Sequence, residues 1–102
     1  MNYFSYLNNV EAERIYEVMS MEQTQTIAIV LTYINADLSA QVLDLYPQET
    51  KADIAIKMSQ VINLPESVLK NIADTLETKL LPSGIKLGGV KAVADILKLL
   101  DK

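Results

Sequence analysis

The chain has 102 residues, one domain's worth of sequence, enough for a single core. It holds no Cys and no His, which excludes disulfides, thiolate zinc sites and nucleophile chemistry at either residue type. A formal charge of −4, with Arg14 as the single arginine, argues against nucleic acid as partner, because such binders cluster Lys and Arg.

Taken in order, Met1 to Ser5 shows no basic start followed by an apolar stretch, so nothing suggests secretion. Tyr3, Phe4, Tyr6 and Leu7 crowd most of the aromatic side chains into one turn, which is expected to dock as a short helical or irregular lid. Asn8, Asn9 or Glu11 can cap the next helix, and Val10 with Ile15 has the spacing of a hydrophobic staple if Glu11 is the cap. That helix, Ala12 to Met19, puts Ile15, Val18 and Met19 on one face and Glu13 with Glu17 on the other. Ser20, Met21 and Glu22 form a short hinge.

The central helix is predicted over Thr24 to Ile34. Ile27, Leu31 and Ile34 keep one stripe, and Ala28, Ile29, Val30 and Tyr33 widen it until little of the circumference is left for water. The uncharged run from Gln23 to Ala36 is 14 residues long. A membrane span needs about 20 mostly apolar residues, so this is a buried helix and no membrane insertion is expected. Its polar start, Glu22-Gln23-Thr24-Gln25, sits at a helix N-terminus with free backbone N–H groups and a positive dipole end, a natural place to meet a partner.

Asn35 stops this helix and can cap the next with its side chain. A helix near Asp37 to Leu45 carries Leu38, Val42 and Leu45, and Tyr46-Pro47 ends it. Gln48 to Ile62 follows, with Ile54, Met58, Val61 and Ile62 inward and Lys51, Asp53 and Lys57 outward. Asn63-Leu64-Pro65 is a second break, and Pro65 suits the first turn of a helix. From there to Leu80 the stripe is Leu69, Ile72, Leu76 and Leu80, supported by Val68 and Ala73. No window alternates with period two, so the chain reads as all-α, with five or six short helices.

Residues 81–89 form a linker that holds all three glycines, Gly84, Gly88 and Gly89. A final helix from Val90 to Leu100 is apolar on two faces. Val90, Val93, Leu97 and Leu100 form one stripe, with Ala92, Ile96 and Leu99 beside it, so it needs a second contact surface. Ile27 to Asn35 also aligns with Val93 to Asp101, apolar on apolar and cap on cap. Such repeats suggest a stacked helical array of the armadillo or HEAT kind; chance similarity of two amphipathic helices explains the match equally well. Because Asp101 is followed by Lys102 alone, the chain is expected to be a fragment cut where a second repeat begins.

Glu22 to Ala28, the breaks at Pro47 and Pro65, and Gly88-Gly89-Val90-Lys91-Ala92-Val93-Ala94-Asp95-Ile96-Leu97 together resemble the middle domain of the flagellar motor switch protein FliG. The resemblance covers essentially the whole chain. It implies a right-handed armadillo-like stack over residues 1–80, a hinge at Gly88 and Gly89 within 81–89, and a truncated next repeat over 90–102. In that family the tetrapeptide is typically Glu-His-Pro-Gln and, with an arginine in a later helix, binds the switch protein FliM. The corresponding residues here are Glu22, Gln23, Thr24, Gln25 and Lys57. Glu22 and Gln25 match as they stand, Gln23 replaces His and Thr24 replaces Pro. Lys57 replaces the arginine and keeps its charge without the bidentate fork. The resemblance further implies that Val90, Val93, Ile96, Leu97 and Leu100 stack on neighbouring FliG armadillo repeats.

Blander readings stand beside these. Glu22 next to a helix start is worth roughly 0.3 to 1 kcal/mol through the dipole alone, and an isolated Lys57 would be an ordinary solvated lysine. The carboxylates Glu11, Glu13 and Glu17, or Asp74 and Glu77, mark wet helix faces rather than acid–base pairs or a metal site, since no His or Cys joins them. The glycines lack the spacing of a phosphate loop. The reading is therefore a non-catalytic rotor-ring adaptor at the cytoplasmic face of the flagellar basal body, using no cofactor and no metal. The alternative is a generic helical scaffold that takes an amphipathic peptide in an apolar groove; an enzyme ranks last.

Overall fold

The computed structural model describes residues 2–80. The predicted linker, with Gly88 and Gly89, and the last helix, with Val90, Val93, Ile96, Leu97 and Leu100, lie outside the described residues. A short 3-10 turn at Ser5–Asn9 leads into α1 (Ala12–Val18), α2 (Thr24–Tyr33), α3 (Ala36–Leu43), α4 (Gln48–Met58) and α5 (Glu66–Leu80). Among the described residues the structure is all-α, with no strand. None of these helices is long and apolar enough to cross a membrane.

The fold is organised around α2. Ile27, Ala28, Ile29, Val30 and Leu31 are buried in succession, which is more than one full turn and so covers the whole circumference. α4 packs most extensively against it and α3 lies alongside, while α1 bridges α3 and α5. One buried polar side chain lies at the α2–α3 contact: Ser39 Oγ donates to the Leu31 carbonyl at 2.9 Å. Its desolvation is thereby compensated.

The amino-terminal turn is core rather than lid. Phe4 and Leu7 are fully buried, and Phe4 lies 5.8 Å from the Tyr33 ring, centroid to centroid. Asn2 Nδ2 donates to the Tyr33 carbonyl at 2.8 Å, satisfying an orphan acceptor at the end of α2. On the other side the Tyr6 hydroxyl donates to the Ala73 carbonyl of α5 at 2.7 Å. Glu11 is the N-cap residue of α1, with Ile15 buried and Val10 half-buried against the core.

Several expected details differ. α4 ends at Met58, so Ile62 falls on the extended stretch before Pro65, where helical spacing no longer holds, and is 78 % exposed. Leu45 lies in the turn after α3 and is exposed for the same reason, whereas Tyr46 is buried in its place, edge-on to Tyr16 at 4.7 Å. Val68 sits on the outer side of the first turn of α5 and is exposed. Pro65 stands one residue before α5, its carbonyl accepting from the Val68 and Leu69 amides. Asn35 precedes α3 without capping it through its side chain; its own N–H donates to Asn8 Oδ1 at 2.9 Å.

Candidate functional site

The tight packing of α2 on α4 brings the predicted residues together. Gln23 is the N-cap of α2 in extended conformation and Thr24 is its first helical residue. The Gln23 side chain makes no capping hydrogen bond, and among the described residues the first-turn amides keep their donors for solvent or a partner. Gln23 and Gln25 are exposed, while Glu22 and Thr24 are half-buried. Lys57, 33 positions further along, approaches from the end of α4, and its ammonium donates to Thr24 Oγ1 at 2.6 Å. The same ammonium donates to Asp53 Oδ2 at 2.8 Å, one turn back on α4. That hydrogen bond, followed by one with the Thr24 hydroxyl, holds the Asp53 carboxyl below the usual carboxylate range.

Glu22 is held from the opposite side. Its carboxylate accepts from Lys79 Nζ on the last turn of α5. Beside this pair, Glu22, Thr26, Asn71, Ile72, Thr75 and Leu76 line a small cleft of about 150 Å³. Met21, next in the chain, is 88 % exposed. The corner therefore presents two internally matched ion pairs, free helix-start amides, two exposed glutamines and an apolar tip. It offers hydrogen bonds and shape to a protein surface. Among the described residues no group of three or more His, Cys, Asp or Glu is placed to hold a metal ion.

Asp53 and Lys79 complete the corner without having been singled out as site residues from the sequence. Asp53 stands four residues before Lys57, the spacing of an intrahelical ion pair, so its part was legible. Lys79 is 57 positions from Glu22, and no local pattern marks it. A second depression, about 440 Å³, lies between α2, α3 and the end of α4, with Leu31, Ile34, Leu43 and Met58 among its apolar walls. None of the corner residues lines it.

The FliG middle domain model matches residues 12–84 of the chain. The flagellar motor switch protein FliG of Helicobacter pylori is 35 % identical over 102 residues, covering 97 % of this chain and 30 % of that protein. The FliG of Thermotoga maritima is 29 % identical over 105 residues, with 97 % and 31 % covered. The chain thus spans about a third of the length of these relatives. No solved structure matches it significantly. An all-α core built on one buried helix, and a family match running from α1 past the end of α5, agree: the chain belongs to the FliG middle-domain family.

Proposed function

We propose that the chain is the FliM-binding domain of a flagellar rotor. In this reading Glu22, Gln23, Thr24, Gln25 and Lys57 hold the middle domain of FliM, at the cytoplasmic face of the flagellar basal body. The FliG middle domain is non-catalytic, so its work is contact. The observation that carries the reading is the hydrogen bond between Lys57 and Thr24, which joins two segments distant in sequence into one reachable corner. The segment from Val90 to Leu100 then passes the contact to neighbouring FliG armadillo repeats. Two placements of it about Gly88 and Gly89 would set the direction of rotation.

The test is a charge reversal at the two half-buried charges of the corner. Glu22→Lys with Lys57→Glu is expected to leave the circular dichroism spectrum native while weakening binding of the FliM middle domain by about tenfold or more in calorimetry. Unchanged affinity removes the site assignment. The apolar depression between α2 and α3 favours one other reading, a peptide-binding scaffold, which predicts affinity indifferent to Glu22 and Lys57 but lost on Leu43→Asp. For the hinge, Gly88→Ala with Gly89→Ala in the full-length protein is expected to impair switching of rotation direction. Normal switching would end that part of the proposal.

A further inference from the structure

We propose that Thr24 is a positioning residue of this corner: its hydroxyl and the Asp53 carboxylate hold the Lys57 ammonium so that one N–H remains for a single oxygen acceptor on the partner. The inference rests on the reading of the corner as the FliM-binding surface. An ammonium has three N–H donors and no acceptor. Here one goes to Thr24 Oγ1 on α2 and one to Asp53 Oδ2 on α4, at 2.6 and 2.8 Å. Among the described residues the third has no partner, and Lys57 is half-buried, so its direction is restricted.

A lysine on a flexible four-carbon stem ordinarily loses rotamer freedom when a partner fixes it. A lysine already held from two helices has lost that freedom during folding, and less is lost on binding. Asp53 also neutralises the ammonium locally, so an incoming carboxylate would meet a second negative charge beside the first. A carbonyl or hydroxyl oxygen would not. The hydrogen bond that ties Lys57 to α2 needs the Thr24 hydroxyl as its acceptor.

The test is a double-mutant cycle read two ways, by affinity for the FliM middle domain and by the 15N resonance of the Lys57 ammonium. Thr24→Val removes the hydroxyl at nearly constant shape, Thr24→Ser keeps it, and Lys57→Met removes the ammonium. Thr24→Val is expected to weaken binding about three- to tenfold, Thr24→Ser to stay near the parent, and Thr24→Val to add nothing in the Lys57→Met background. The slowly exchanging ammonium signal should be visible in the parent and in Thr24→Ser and broadened away in Thr24→Val. Equal losses in both backgrounds, failure of serine to rescue, or an ammonium signal indifferent to Thr24→Val would overturn the proposal. A parent chain that does not bind FliM would instead overturn the functional reading, and the ammonium signal would still decide whether Thr24 fixes Lys57.

Discussion

Tyr6 and Tyr46 place the same phenol in two different settings. The Tyr6 hydroxyl donates to the Ala73 carbonyl at 2.7 Å, while the Tyr46 hydroxyl is buried with no hydrogen-bond partner among the described residues. A satisfied buried donor contributes about 1 kcal/mol, and an unsatisfied one is a liability. Tyr6→Phe is therefore expected to lower stability by about 1 kcal/mol, and Tyr46→Phe to be neutral or stabilising, in urea titrations of the two variants. Burial pushes both hydroxyls up to about 12, helped at Tyr6 by the charges of Glu77 and Asp74 and at Tyr46 by Tyr16. The unfolded chain releases these protons near pH 10 and the folded chain only near 12, so between those values the unfolded state binds fewer protons and stability falls. Melting temperature should drop on going from pH 10 to 12, and the double Phe variant should drop less. The orphan hydroxyl was not legible beforehand, because Tyr46-Pro47 reads first as a helix stop and its burial depends on Tyr16, thirty positions earlier.

At the scale of elements, the last turn of α5 is tied twice to the amino-terminal half. Arg14 Nη2 donates to the Leu80 carbonyl at 3.1 Å, with the Lys79 carbonyl at 3.4 Å, and Lys79 holds Glu22. A guanidinium over the carbonyls that end a helix satisfies orphan acceptors and complements the dipole there. Arg14→Ala is expected to cost about 1 kcal/mol and to speed amide exchange in the last turn of α5 while leaving α2 protected. Equal acceleration in both helices would show that Arg14 supports the whole fold rather than one end. Leu31→Ala, in the helix packed between α3 and α4, should cost about 2 to 5 kcal/mol. The contrast explains what the sequence could disclose. The run Ile27 to Leu31 announces a buried helix because its apolarity is local and continuous. The stripe Ile54, Met58, Val61 and Ile62 continued past the true end of α4, since helical spacing persists in the residues after the backbone has left the helix. Ties such as Arg14 to Leu80, 66 positions apart, have no local signature and come into being only with the packing.

On the scale of the whole molecule, the buried set among the described residues runs from Phe4 to Leu76. Phe4 and Leu7 near the amino terminus and Leu69, Ala73 and Leu76 on α5 belong to the same cluster, so the amino-terminal turn and α5 are joined in one cooperative unit. We propose a domain boundary at Leu80. A chain ending at Leu80 retains every buried residue from Phe4 to Leu76, and its new carboxylate would stand where the Leu80 carbonyl now accepts from Arg14, a charge-assisted version of the same bond. It should melt cooperatively within a few degrees of the parent. A chain ending at Ile72 would lose Ala73 and Leu76 together with the acceptor of Tyr6, and by the same reasoning should not fold. Circular dichroism melts of the two truncations decide the boundary: a broad, non-cooperative transition for the chain ending at Leu80 would mean that residues beyond it complete the core.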